Sequence, residues 1–258
     1  MEKPIITIKI GGKMATTPDL LRQFVVDLHR LKSATHFVII HGGGKEVSDV
    51  TQKLLGTEPE FKDGIRMTTP EEMDIVEMVL SGKINKSLVR LFQSKEIQSC
   101  GISGADGVIF RGESIGDGKA QRTGKITDVN TGLIFTLLEQ GYTPILSSTT
   151  MDYEGIALNI NADQAALAIA SAIKASALIF LSDIPGVIKN DSVIPVLTVG
   201  SAATEISNGT ITGGMIPKVQ SSIDALGNGV KKIIIGEYER HGSLIDLLDG
   251  RSGTAICH

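Results

Sequence analysis

The chain has 258 residues with 25 lysines and arginines against 29 aspartates and glutamates, a net charge of −4 and a pI near 5.8. That balance argues against a nucleic-acid or membrane surface as the main partner, and the length suits one large α/β domain or two lobes with a substantial core. Cys100 and Cys257 form neither a metal spacing nor a disulfide framework, no apolar run approaches the ~20 residues of a bilayer span, and the N-terminus does not read as a signal peptide, so a cytoplasmic protein is expected.

Short β-branched runs alternate with helical stretches, the pattern of βαβ units and a mainly parallel sheet. The first strand, Pro4-Ile5-Ile6-Thr7-Ile8-Lys9-Ile10, stops at Gly11-Gly12. Thr17-Pro18-Asp19 then supplies a cap, an N1 proline and an early acid for a helix to about Leu31. Residues 36–41 form the second strand, closed by Gly42-Gly43-Gly44 and followed by a helix towards Leu55. Residues 61–67, with Asp63-Gly64 inside, predict a hairpin near a sheet edge. Thr69-Pro70-Glu71-Glu72 opens a helix whose stripe of Met73, Val76, Leu80, Ile84 and Leu88 makes it long and amphipathic.

Residues 97–102 read as a strand, 103–128 as Gly-punctuated hairpins, 130–140 as a helix and 143–147 as a strand. Residues 151–160 form another hairpin, leading into a helix opened by Asn161-Ala162-Asp163-Gln164. The strand at 177–181 breaks at the rigid loop Ser182-Asp183-Ile184-Pro185-Gly186-Val187, where the boundary between lobes 1–181 and 182–258 is placed. Helices at about 199–208 and 214–227, a strand at 232–235 and a last strand after Gly253-Thr254 complete the pattern.

Several signatures are missing. There is no G-x-x-x-x-G-K-[ST], no G-x-G-x-x-G after the first strand, no protein-kinase catalytic loop and no G-x-S-x-G. The five histidines have no zinc spacing.

What remains is a set of residues that suit phosphate. Gly11-Gly12 and Gly42-Gly43-Gly44 each follow an apolar strand, where open α/β sheets bind ligands and exposed N–H groups meet phosphate oxygens. Taken singly, each is equally a tight turn. Lys9 is either a strand end reaching for solvent or a phosphate ligand. Lys218 stands in the first turn of its helix, where the dipole disfavours a cation, and is either a surface lysine or a second phosphate ligand. Asp163 stabilises a helix N-terminus in the simpler reading; in the other it holds the two cations in place. Phosphoryl transfer asks for such a set, since its catalysis is mostly positioning and electrostatics. No catalytic base is evident, and a carboxylate acceptor, ionised above a pKa of ~4, needs none. Arg66 is either solvated or a two-pronged carboxylate ligand, and Asn159 either pairs with an amide or carboxylate or serves a turn.

These residues lie in segments that together resemble the amino-acid kinase family over essentially the whole chain. The segments are Lys9-Ile10-Gly11-Gly12, His41-Gly42-Gly43-Gly44, Gly64-Ile65-Arg66-Met67-Thr68, Met78-Val79-Leu80-Ser81-Gly82-Lys83-Ile84-Asn85-Lys86, Gly101-Ile102-Ser103-Gly104-Ala105-Asp106-Gly107, Asn159-Ile160-Asn161-Ala162-Asp163-Gln164, Leu181-Ser182-Asp183-Ile184-Pro185-Gly186-Val187, Gly213-Gly214-Met215-Ile216-Pro217-Lys218 and Gly253-Thr254. The Gly-Ile-Arg-Met-Thr and Asn-Ile-Asn-Ala-Asp segments are similar to those of the N-acetylglutamate kinases of arginine biosynthesis.

The resemblance implies a three-layer αβα sandwich with a mainly parallel central sheet and two lobes, the first carrying the acyl-amino acid and the dimer contact, the second the nucleotide. It implies transfer of the ATP γ-phosphoryl to the side-chain carboxylate of N-acetyl-L-glutamate. Lys9 and Lys218 would stabilise the transition state, Asp163 would orient both, and the N–H groups of Gly12 and Gly44 would hold the moving group. Gly43, Gly44, Arg66 and Asn159 would hold the acyl-amino acid. Asp183, Ile184, Pro185, Gly186, Val187 and Ile188, with Thr210, Ile211, Thr212 and Lys218, would hold the nucleotide, and Mg²⁺ would arrive with ATP. The first strand begins by Ile5, without the N-terminal helix of arginine-inhibited members, and the Leu248-Asp249-Gly250-Arg251 ending lacks their acidic pattern. An arginine-insensitive homodimer is therefore expected. The rival readings are a same-fold kinase for N-succinylglutamate or N-acetyl-aminoadipate, a non-catalytic amino-acid sensor, and a nucleotide-binding oxidoreductase, which the missing fingerprint disfavours.

Overall fold

In the computed structural model, which describes residues 3–62, 64–117 and 120–258, the run that Lys9 interrupts is strand Ile5–Ile10, buried except at the half-buried Ile5 and Lys9. Glu2 and Asp63, which entered the sequence reading, lie outside the described residues. Ile5–Ile10 pairs in parallel with Ala177–Ser182, from Ile6 opposite Ala177 to Ile10 opposite Leu181. Hence Met1–Phe37 groups with Ile169–His258 in one compact unit, and Val38–Ala168 makes the other. The compact units thus differ from the expected division at 181/182, because a strand from the start of the chain completes the sheet of its end.

In the first unit the strand order is Val196–Thr198, Thr254–Cys257, Ile233–Glu237, Ala177–Ser182, Ile5–Ile10. All neighbours are parallel except Ile233–Glu237 with Thr254–Cys257. Helix Pro18–Leu31 buries Phe24, Val25 and Leu28. Its expected cap, Thr17, makes no capping bond, because an unexpected short helix, Gly12–Thr16, precedes it and the Thr17 hydroxyl donates to the Lys13 carbonyl at 2.8 Å. Helices Val199–Ser207 and Met215–Gly227 lie where the sequence places them. Ser243–Leu248, six residues long, was too short to show a period.

Asp27, fully buried on helix Pro18–Leu31, accepts from Tyr238 Oη at 2.8 Å and from Gly242 N at 2.8 Å, and pairs with His241 Nδ1 at 2.7 Å. Burial, then the hydrogen bond and charge of Asp27, push the Tyr238 phenol far above its ordinary range. The carboxylate therefore ties helix to loop within this unit.

The second unit holds the parallel strands Thr143–Ser147 and Ser99–Ile102, with His36–His41 paired to the former. The predicted hairpins close on one another as a small barrel of Phe110–Ser114, Thr123–Val129, Thr149–Met151 and Ala157–Ile160. The expected hairpin is present, Glu60–Lys62 with Ile65–Met67, as a two-stranded sheet of its own. Thr69 and Glu72 form a capping box, as their spacing predicts. The long helix is interrupted: Pro70–Glu77 is α-helical, Met78–Ile84 is a π-helix, and Asn85–Gln93 is α-helical again. The stripe still faces inward, with Met73, Val76, Leu80 and Leu88 buried and Ile84 partly so. Among the described residues no helix is long and apolar enough to cross a membrane.

Candidate active site

In the first unit, the carboxyl ends of two adjacent parallel strands bring two expected segments together. Gly12 follows Ile5–Ile10 with φ +58°, a conformation that a side chain disfavours. The Asp183 carboxylate, just beyond Ala177–Ser182, packs against its Cα and accepts from Lys13 N. Lys9 Nζ folds back over Gly11, so the ammonium and the turn share one place. Lys9 is the register partner of Phe180, and Lys218 Nζ lies 5.2 Å from the centroid of that ring. The residue paired with Lys9 thus carries the ring over which Lys218 lies.

The stretch from Asp183 to Ile188 is tied down from within the same unit. Val187 N donates to Thr254 Oγ1 at 2.8 Å, and Ile194 N donates to the Val187 carbonyl at 2.8 Å. Gly253-Thr254, one of the family-like segments but without an expected ligand, is thereby an anchor for this loop. The N–H groups of Thr210 and Ile211 donate to the Glu205 carbonyl at 3.0 Å, and Met215 N donates to Thr212 O at 3.2 Å. Hydrogen bonds from Lys189 and Thr210 hold the Glu205 carboxyl below its usual range.

In the second unit, Gly43 N-caps helix Gly44–Leu55. A side chain at Gly43 would collide with Ile84 Cδ1 and come within 2.9 Å of Leu80 Cδ2, so the π-helix packs closely on this glycine. Arg66, on strand Ile65–Met67, is only 9% exposed. Its Nη2 donates to the Gly44 carbonyl at 2.8 Å and to Ser48 Oγ at 2.5 Å, and its guanidinium lies 5.0 Å from the Phe61 ring centroid. Its Nη1 is buried with no hydrogen-bond partner. Burial lowers the Arg66 pKa, with Glu72 opposing, but guanidinium remains charged at any ordinary pH. A buried cation with donors left over is a place for an anion.

Asn159, on strand Ala157–Ile160, donates from Nδ2 to Thr68 Oγ1 at 2.9 Å. Thr68 N is held in turn by Thr123 Oγ1 at 2.8 Å, which donates to the Arg66 carbonyl at 2.6 Å. Arg66 and Asn159 are therefore two ends of one network. Asp163 stands in the first turn of helix Ala162–Ala172, where the dipole favours an acid. The capping bonds go instead to Asn161 Oδ1, from Asp163 N at 2.8 Å and Gln164 N at 3.3 Å.

The sequence reading missed Ser48, Thr68, Thr123 and Phe180. Ser48 follows Gly44 by four residues on a helix, hence on the same face, and its hydroxyl donates to the Gly44 carbonyl at 2.9 Å. That spacing was a usable signal; for Phe180, an apolar residue in an apolar strand, there was none. Among the described residues no group of three or more His, Cys, Asp or Glu is placed to hold a metal ion.

The chain is 38% identical over 231 residues to the acetylglutamate kinase of Geobacillus kaustophilus, covering 89% of this chain and 88% of that protein. It is 37% identical over 259 residues to that of Clostridium kluyveri, covering 97% and 91%. The crystal structure of smu.665 from Streptococcus mutans UA159 superposes with a TM-score of 0.80 at 27% identity, covering 98% of each chain. Residues 4–237 match the model of the amino acid kinase family, and the chain belongs to that family.

Proposed function

We propose that the protein transfers the γ-phosphoryl group of ATP to the side-chain carboxylate of N-acetyl-L-glutamate, giving N-acetyl-L-glutamyl 5-phosphate and ADP, as a step of arginine biosynthesis. The observation that carries the acceptor side is Arg66: a buried guanidinium clamped through Nη2, with Nη1 left for an anion. It suits the α-carboxylate of an acyl-amino acid, held by charge-assisted bonds. Gly43, Gly44 and Asn159 complete that site. The donor side is carried by the shared position of Lys9, Gly12, Lys218 and the loop from Asp183 to Ile188 in one unit.

In the reaction a γ-carboxylate oxygen attacks the γ-phosphorus and the bond to the β-phosphate oxygen breaks, leaving ADP. The attacking group is already an anion, so no base takes a proton. The difficulty is repulsion between anions. Lys9 and Lys218 offset it, with Asp163 as the orienting acid, and the N–H groups of Gly12 and Gly44 take the charge on the moving phosphoryl oxygens. The loop from Asp183 to Ile188, with Thr210, Ile211 and Thr212, holds the nucleotide. Mg²⁺ would arrive on the ATP phosphates and would neutralise part of their charge. The proposal extends to a cytoplasmic homodimer; the net charge of −4 supports the part of it that leaves out nucleic-acid and membrane partners.

The test is incubation with Mg-ATP and hydroxylamine, which traps acyl phosphates as hydroxamates. N-acetylglutamate, N-succinylglutamate, N-acetyl-aminoadipate and aspartate are compared. Hydroxamate is expected chiefly from N-acetylglutamate. None with any acid rejects the kinase reading, and preference for another acid moves the substrate alone.

A further inference from the structure

His41 and Asn85 stand in two of the family-like segments, yet neither has a part in the chemistry above. His41 ends strand His36–His41 at 1% exposure, and Asn85, wholly buried, begins helix Asn85–Gln93. The surroundings of Asn85 fix which way its amide points. Its Nδ2 lies 2.8 Å from the Ile145 carbonyl, which only accepts, and its Oδ1 lies 3.1 Å from Lys86 Nζ, which only donates. Nδ2 is therefore a donor, and it also lies 3.1 Å from His41 Nε2. Nε2 must accept. On the other side of the ring, Nδ1 lies 3.0 Å from the Gly42 carbonyl, so Nδ1 carries the hydrogen. The two partners leave His41 one form, the neutral Nδ1–H tautomer. Burial works the same way, lowering the imidazole pKa to about 4, with the Gly42 bond opposing and the Lys86 charge adding to it.

We infer that His41, its tautomer set by Asn85, is the positioning residue of the Gly42-Gly43-Gly44 turn. The Gly42 carbonyl and the Gly43 N–H belong to one planar peptide. A bond from Nδ1–H to that oxygen fixes the plane, and so the direction in which the Gly43 N–H points and the entry of the chain into helix Gly44–Leu55. Turns of glycine are otherwise free to rotate such a peptide. The opposite tautomer would face the Gly42 oxygen with a lone pair and face the Asn85 donor with an N–H, losing both contacts. The role presupposes the assignment of Gly43 and Gly44 to substrate and phosphoryl group given above.

The first test needs no turnover. In protein labelled with nitrogen-15 histidine at neutral pH, the His41 ring, assigned by its loss in His41→Asn, is expected to be neutral with Nδ1 protonated. An Nε2–H ring or an imidazolium overturns the inference, whatever the enzyme's activity. The second test splits the two contacts. His41→Asn keeps a donor near the Nδ1 position, whereas His41→Gln keeps an acceptor near Nε2 and loses the donor to Gly42. His41→Gln is expected to lose kcat by on the order of tenfold to a hundredfold, the effect of a small misplacement, with KM for ATP within about twofold. His41→Asn is expected to lose clearly less. Equal losses, or the reverse order, overturn the positioning role. Wild-type hydroxamate formation separately decides the kinase reading.

Discussion

Lys218 Nζ lies over the ring of Phe180, 5.2 Å from its centroid, and Phe180 is the strand partner of Lys9. Parallel partners project to the same face of a sheet, so the ring that carries Lys218 belongs to the residue paired with Lys9. Its quadrupole attracts an ammonium by about 0.5–2 kcal/mol, enough to offset part of the cost of holding Lys218 at a helix N-terminus.

Lys9→Met and Lys218→Met are therefore expected to lose on the order of a hundredfold or more in kcat, as for other transition-state charge stabilisers, with little change in nucleotide affinity. Phe180→Leu keeps both cations and removes the ring. It should lower kcat by roughly 2–30-fold, following the cation–π magnitude. Steady-state hydroxamate kinetics with nucleotide titration would separate these effects. An unchanged kcat in Phe180→Leu would remove the ring from the site.

Arg66 and Ser48 offer a second test. A hydrogen bond to a charged group contributes about 1.5–3 kcal/mol, so Arg66→Ala should raise KM for the acyl-amino acid by roughly 10–100-fold. Ser48 touches the other guanidinium nitrogen, Nη2, at 2.5 Å. Ser48→Ala should raise the same KM by only about 2–10-fold, since a neutral partner of the arginine is lost rather than the arginine. KM for ATP should stay as it is in both. An acyl-amino-acid KM that does not move in Arg66→Ala would count against its assignment.

The two-part response of these residues reflects what the sequence could and could not disclose. Strand and helix periods, caps and glycine turns placed Lys9, Gly12, Gly44 and Lys218 at element ends, because those signals are local. Thr69 with Glu72 was legible for the same reason. The pairing of Ile5–Ile10 with Ala177–Ser182 was not, since strand partnership across most of the chain leaves no local mark. Hence the units divide at Phe37 and Ile169, away from the loop at Ser182. The π-helix Met78–Ile84 also escaped notice, because a stripe at intervals of three and four reads as unbroken α-helix. Of the site, the residue types were legible; the partners that hold them, Ser48 for Arg66 and Thr68 for Asn159, required the fold.

That π-helix makes a third expectation possible. Gly43→Ala would drive its methyl into Ile84 Cδ1, and Leu80 Cδ2 would be 2.9 Å away. Activity should fall by on the order of a hundredfold if the turn moves by about an ångström. Ile84→Val removes Cδ1 and leaves Cγ1, which lies 3.6 Å from the new methyl. The double substitution should therefore recover much of the loss, while Ile84→Val alone costs only about 0.5–1.5 kcal/mol of stability. Failure of the second substitution to rescue would mean that Gly43 is needed for something other than the close approach of Ile84.

His41 links the same turn to stability against acid. In the unfolded chain its imidazole binds a proton near 6.5, whereas in the fold burial lowers that value to about 4. Between these values the unfolded state holds the additional proton, so stability rises with pH across the window and is lost as pH falls from 6.5 towards 4. The loss from this one group is on the order of 3 kcal/mol at the acid end. His41→Asn cannot titrate and should show a flatter profile over the same range, superimposed on whatever the carboxylates contribute. Urea midpoints at several pH values between about 7.5 and 4.5, wild type against variant, would measure the difference. Parallel profiles would mean that His41 takes up its proton as readily in the fold as in the unfolded chain, and would count against the acceptor role of Nε2 towards Asn85.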